Sequence, residues 1–116
     1  MTRIYRLSRA DFASLKPFLK EQGKFFALTV AKSPDNKPRF ACVVSKKTAS
    51  RANARNLIKR KCRAAIRDIP FPEGAFALVF TAKRSATAAS HEEVFADVHA
   101  LIAKTESGLM RAGELQ

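Results

Sequence analysis

Arg55, Asn56, Lys59, Arg60, Arg63 and Arg67 share the stretch ARNLIKRKCRAAIR (Ala54 to Arg67), which has a sixth cation in Lys61 and no carboxylate. Guanidinium groups grip phosphate oxygens in pairs or stack on bases, and ammonium groups act as hydrated point charges. The amide of Asn56 both donates and accepts, which suits a base edge or a 2′-hydroxyl as well as it suits a plain polar helix face. Ordinary helix faces mix signs to gain i,i+4 pairs. Here Arg55, Lys59, Arg63 and Arg67 stand four apart with only each other as neighbours. Their repulsion needs compensation from a polyanion or from tertiary packing, and the pattern points to phosphate binding.

Other chemistries find little support. His91 and His99 are the only histidines, and HEEVF places Phe95 where a zinc-binding H-E-x-x-H needs its second ligand. The four glycines form neither GxGxxG nor GxxxxGK[ST], so no phosphate-cradling loop of a nucleotide enzyme is expected. Ser45, Ser50 and Ser90 have no evident base partner. The basic region has no pair of carboxylates for a protein-held two-metal nuclease site. Cys42 and Cys62 make no CxxC and read as buried thiols in a reducing cytoplasm.

A chain of 116 residues makes one domain, read as residues 1–108 with a frayed tail over 109–116. Twenty-two Lys/Arg against ten Asp/Glu give a net charge of +12, which favours polyanions, nucleic acid first. The charge is segregated: eleven of the 22 cations, and no carboxylate, lie between Asp35 and Asp68. Glu92, Glu93, Asp97 and Glu106 gather in the last quarter. The N-terminus lacks the apolar run of a signal peptide, and no apolar stretch approaches the ~18 residues of a membrane span, so a cytoplasmic protein with no membrane partner is expected.

The elements that must position the cations follow from periodicity and punctuation. Ser8 and Asp11 resemble a capping box before Phe12, Leu15 and Leu19, predicting a short first helix that Pro17 kinks or ends. FFALTVAK (Phe25 to Lys32) and RFACVVSK (Arg39 to Lys46) read as strands, and SPDNKP between them predicts a hairpin. The basic stretch reads as a helix to about Asp68, ended by IPFPEG. FALVFTA (Phe76 to Ala82) is a buried strand, and Ser90 with Glu93 caps an amphipathic final helix carrying Val94, Phe95, Val98, Leu101 and Ile102. The order describes an α+β domain with helices packed on a small sheet.

On a helical wheel of about 100° per residue, Arg55, Lys59, Arg63 and Arg67 span roughly 120°, with Asn56 inside that arc and Arg60 just past its edge. Ile58, Cys62, Ala65 and Ile69 form a neighbouring arc that faces the sheet. Lys61 and Leu57 lie off the cationic surface.

With these residues in view, the chain resembles the protein subunit of bacterial ribonuclease P. RFACVVSKKTASRANARNLIKRKCRAAIR, Arg39 to Arg67, is similar to that family's strand ending in two lysines, followed by a basic helix whose signature falls here on Arg55, Asn56, Lys59, Arg60 and Arg63. Arg6, Leu7, Asp11 and Phe12 near the start, Lys83 and Arg84 after the last strand, and the final helix extend the resemblance over most of the chain. It implies an α/β sandwich with a small mixed sheet, element order α-β-β-(β)-α-β-α, and a left-handed βαβ crossover where general statistics favour the right hand.

The resemblance also implies a division of labour. In that family the protein assists a catalytic RNA in removing the 5′ leader of precursor tRNA, and the RNA with its Mg²⁺ performs the hydrolysis. Enzyme activity is then expected only as the accessory protein of this endoribonuclease, with no turnover by the protein alone. The implied RNA-binding residues are Lys46, Lys47, Arg51, Arg55, Asn56, Lys59, Arg60, Arg63 and Arg67. The implied leader-binding residues are Phe12, Lys16, Phe25, Phe26, Lys83 and Arg84, and one ring of the adjacent pair Phe25 and Phe26 is expected to leave the core because strand neighbours point to opposite faces. The expected partners are the catalytic RNA and the leader, with no obligate protein partner. Mg²⁺ is expected to be held mainly by RNA and substrate, with no protein-bound cofactor. Two positions depart from the family: Leu57 stands where arginine or lysine is common, and Lys16 where a second aromatic is usual. Charge alone also fits a ribosomal or general RNA-chaperone protein.

Overall fold

The computed structural model describes residues 5–7, 15–33, 37–68 and 76–114. The predicted first helix falls mainly on residues 8–14, and these, with Phe12, lie outside the described residues. Strands β1 (Tyr5–Arg6), β2 (Pro17–Gln22), β3 (Phe26–Lys32) and β4 (Arg39–Val43) precede helix α1 (Ala52–Asp68). Strand β5 (Phe76–Ala82), a 3₁₀ turn (Arg84–Ala88) and helix α2 (His91–Glu114) complete the order.

The five strands form one mixed sheet in the order β1-β4-β5-β3-β2. Strand β5 sits at its centre because Ala77, Leu78, Val79 and Phe80 form a continuous apolar run, buried on both faces. It pairs antiparallel with β3 and parallel with β4. The predicted hairpin of β3 and β4 is therefore corrected. The two strands run antiparallel, but β5 lies between them, and the parallel pair β4 and β5 is joined through α1 as a βαβ crossover. The place of Leu19 on the first helix is corrected too: Pro17 opens edge strand β2, where a missing amide hydrogen is tolerated, and Leu19 pairs with Val30 across a bulge.

Both described helices cover one face of the sheet. Phe26, Leu28, Val30, Leu78 and Phe80 point to that side and join Ile58, Cys62, Ala65 and Ile66 of α1 and Val94, Val98, Leu101 and Ile102 of α2 in a single core. Gly108 lets α2 approach β2 closely, since a Cβ there would stand 3.0 Å from Leu19 Cδ2. The helix continues through Gly108 to Glu114, past the point where fraying is predicted from sequence. On the opposite face Ala41, Val43, Ala77 and Val79 pack with Leu7 and Leu15. No helix among the described residues is long and apolar enough to cross a membrane.

The α2 helix is locked at two places. Its predicted capping box is present and reciprocal: Ser90 N–H donates to Glu93 Oε1 at 3.0 Å, and Glu93 N–H donates to Ser90 Oγ at 3.1 Å. These bonds to the charged form hold the Glu93 carboxyl below its usual value. One turn on, the Asp97 carboxylate accepts three successive backbone N–H groups of the β2–β3 turn, from Lys24 at 2.8 Å and from Phe25 and Phe26 at 3.0 Å each. Gly23 is required in this turn, because a Cβ would meet Phe26 O at 2.7 Å and the Asp97 carboxylate at 2.8 Å.

A candidate RNA interface on the crossover helix

Helix α1 forms readily because Ala52 to Asp68 contains no glycine or proline and is rich in alanine and straight-chain cations. It docks through Ile58, Cys62, Ala65 and Ile66, all nearly inaccessible. The predicted docking arc included Ile69, which lies outside the described residues. Ile66 turns the buried arc toward the cations, so at about 100° per residue its centre falls roughly 30° from Arg55 and roughly 170° from Arg60.

That rotation sorts the cations into two groups. Arg55 is half-buried at the foot of the helix, and its Nη1 donates to the carbonyls of Ala49 at 2.9 Å and Ser50 at 2.8 Å. Lys61 reaches away from the exposed ridge, donating from Nζ to Ala89 O at 2.9 Å. Tertiary carbonyls thus answer part of the repulsion noted in the sequence. The rest is unanswered: Lys59, Arg60, Arg63 and Arg67 have no hydrogen-bond or ion-pair partner among the described residues. Arg60 and Arg67 are exposed with Asn56, and Lys59 and Arg63 flank them half-buried. Leu57, off the predicted surface, is 48% exposed beside this ridge. The first turn of α1 has no acidic residue, so the positive end of the helix dipole is not offset there.

Lys46 and Lys47 occupy the turn that leads from β4 into α1, both exposed. Ser45 and Thr48 build that turn: their hydroxyls lie 3.0 Å apart, the Thr48 and Ala49 amides donate to Ser45 O at 3.1 Å each, and Thr48 Oγ1 donates to Ala82 O at 3.4 Å. The last bond brings the two lysines to the same sheet end as Lys83 and Arg84. Arg51 is exposed at the helix entrance.

The residues predicted for the leader are dispersed. Phe25 and Phe26 both belong to the core, 7% and 0% exposed, so neither ring leaves it. Alternation fails because Phe25 lies in the turn before β3, where its N–H meets Asp97 and its carbonyl accepts from Lys83 N–H at 2.8 Å. Lys24 Nζ covers its ring at 5.4 Å from the centroid. Lys83 is half-buried and donates from Nζ to Gly23 O at 2.7 Å. Lys16 and Arg84 are exposed. Phe18, half exposed, tilts against Phe76 with ring centroids 6.0 Å apart.

Sequence reading missed the open part of the sheet face opposite the helices. Register aligns Gln22, Ala27, Thr81 and Val43 in one row across four strands, with Lys20 and Thr29 in the next row. Gln22, Lys20 and Thr81 are exposed, and Ala27, Thr29 and Val43 are half-buried. Small and polar groups at alternate positions of β2, β3 and β5 were the available signal, but only the strand order places them together. Among the described residues no group of three His, Cys, Asp or Glu side chains could hold a metal ion.

A mixed sheet with a cationic crossover helix defines a basic α+β domain suited to polyanions. The family model described as Ribonuclease P matches residues 1–106, and the chain belongs to that family, with a role in ribonuclease P and tRNA processing. Solved structures share the fold. A Staphylococcus aureus RNase P protein mutant, described as having defective mRNA degradation activity, is 17% identical over 88% of both chains with a TM-score of 0.71. The S. aureus RNase P protein gives 19% identity over 88% of this chain and 95% of the other, with a TM-score of 0.69. The RNase P protein of Thermotoga maritima gives 21% identity over 82% and 87%, with a TM-score of 0.63. No curated protein matches the chain.

Proposed function

We propose that this chain is the RNA-binding subunit of ribonuclease P, holding the catalytic RNA on α1 and the single-stranded 5′ leader of precursor tRNA on the sheet face opposite the helices. The observation that carries the reading is the ridge of Arg60, Arg63, Arg67 and Lys59, cations that the fold presents without a partner among the described residues. Each phosphate they neutralise releases condensed counterions, which makes binding favourable and salt-dependent. Lys46, Lys47, Arg51 and Arg84 extend the positive surface around the sheet end. A leader laid over Gln22, Ala27, Thr81 and Val43 meets small side chains that admit an unpaired strand, with Lys20 and Lys16 offered to its phosphates.

In this reading the protein lowers repulsion between two polyanions and holds the leader in register, while Mg²⁺ bound by RNA and substrate supplies the hydrolytic chemistry. In this reading the reaction runs in the cytoplasm. The test is reconstitution: the protein is added to a bacterial ribonuclease P RNA and precursor tRNA at low Mg²⁺, and cleavage is compared with RNA alone. Faster 5′ maturation is expected, with no turnover when the RNA is omitted. No gain refutes the reading; indiscriminate binding to unrelated RNAs supports a chaperone instead, and cleavage by RNA-free protein assigns chemistry to the chain itself.

A further inference from the structure

Cys42 and Cys62 come from different elements, β4 and α1, and neither belongs to the RNA surface. Cys42 registers with Phe80, so it faces the helix side of the sheet. Cys62 belongs to the buried quartet of α1. Their sulfurs meet 2.8 Å apart and share a thiol hydrogen bond. Both are free thiols, Cys42 half-buried and Cys62 fully buried. A disulfide needs its sulfurs about 0.8 Å closer than this, a movement within reach of side-chain torsion.

We propose that Cys42 and Cys62 are a reversible dithiol site, closed to an internal disulfide by exchange with a small-molecule disulfide such as oxidised glutathione. The order of attack follows from burial. Cys42 is the less buried residue of the pair; its thiol loses its proton, attacks one sulfur of the oxidant and forms a mixed disulfide, releasing one glutathione thiolate that takes up a proton. Cys62 then loses its proton and attacks Cys42 Sγ, forming the protein disulfide and releasing the second glutathione. Two protein thiols lose two electrons and the oxidant gains them as two thiols. In the reduced pair the hydrogen bond shared with Cys42 and burial hold the Cys62 thiol well up; burial persists in the mixed disulfide, so Cys62 is a slow attacking thiol and the second step limits the rate. The product ties β4 to α1 and fixes the crossover helix on the sheet.

The test uses the full chain in glutathione redox buffers, quenched by alkylation and read by intact mass and peptide mapping. The expected product lacks two hydrogen atoms, takes up no alkylating agent and yields a peptide joining Cys42 to Cys62. Its ratio to the mixed disulfide should exceed that of the chain in concentrated urea by about tenfold or more, because the fold supplies the effective concentration. Cys62→Ala should stop at a persistent glutathione adduct on Cys42. If that variant does not fold, the wild-type time course serves, with the adduct preceding the internal disulfide. Two alkylated thiols throughout, a persistent adduct in the wild type, or a ratio no greater than in urea overturns the proposal.

Discussion

Arg55 and Arg60 carry the same charge on the same helix, yet the fold assigns them different work, and a paired substitution separates the two. Arg55→Met keeps most of the aliphatic stem and removes the guanidinium, leaving the carbonyls of Ala49 and Ser50 without their donor at 2.9 and 2.8 Å. A hydrogen bond from a charged group is worth about 1.5 to 3 kcal/mol. The Ser50 bond is exposed and water replaces it at small cost, so the part-buried Ala49 bond dominates and the loss is about 2 kcal/mol. At about 4 °C per kcal/mol for a domain near this size, the melting temperature falls by about 8 °C. Arg60→Met removes a side chain on the far side of the helix and should move stability by no more than about 0.5 kcal/mol. The order reverses in RNA binding. Titrating a bacterial ribonuclease P RNA across a salt series, Arg60→Met should lower the slope of log K against log salt by about 0.7 to 0.9, one phosphate contact. Arg55→Met should change that slope by less than half as much once measured below its lowered melting temperature. If Arg55→Met melts like the wild type and loses a full contact in slope, the carbonyl clamp is not what occupies Arg55 and the sorting of the cations is wrong.

Further outcomes follow from the same geometry. Asp97→Ala strands the part-buried amides of Phe25 and Phe26 and should cost about 2 to 4 kcal/mol in urea unfolding, with Asp97→Asn intermediate; a loss below about 0.5 kcal/mol would show that the turn does not depend on α2. Thr105, buried with a hydroxyl that has no partner among the described residues, should tolerate Thr105→Val with a gain of about 1 kcal/mol, and a loss of stability would reveal an unseen partner. Glu93 has a folded-state pKa below its unfolded value, so its cap contributes above the unfolded pKa and is lost as pH falls through the folded one. A pH series of Glu93→Gln against wild type should therefore show the stability difference shrinking on acidification; a constant difference contradicts it. Thr81→Glu puts a carboxylate on the open sheet face and should weaken precursor tRNA binding by the reconstituted complex about tenfold, about 1.4 kcal/mol, while leaving the affinity for the catalytic RNA alone. Equal losses would place the leader elsewhere.

Much of this fold was legible where the signal is local. The capping box at Ser90, the strand Phe76–Ala82 and the basic helix each follow from a few adjacent residues, and each is present. What escaped was set by partners distant in sequence. SPDNKP has turn chemistry and the flanking strands do run antiparallel, but adjacency was decided by β5, whose double-sided burial demands a neighbour on each edge. Pro17 followed a helical pattern, and only its place on an edge strand explains it. The helical wheel found the docking side of α1 but not its rotation, because it left out Ile66, which the packed sheet buries. Phe25 and Phe26 were treated as neighbours on one strand, whereas Asp97, more than seventy residues away, holds Phe25 in a turn. The resemblance to a family supplied what no local pattern held, which polyanion to propose.

The central position of β5 has a consequence for how the molecule is made. A ribosome emits β3, β4 and the whole of the basic helix before Phe76 emerges, so during that interval the two strands have no common neighbour and the helix has half a sheet to rest on. Non-local pairing of this kind delays closure until the late strand arrives. A nascent chain or proteolytic fragment ending before residue 76 thus carries nearly all the cations of the proposed RNA surface without the platform that arrays them. It should hold RNA as a loose polycation does, and the arrival of a seven-residue apolar strand turns that charge into a shaped surface.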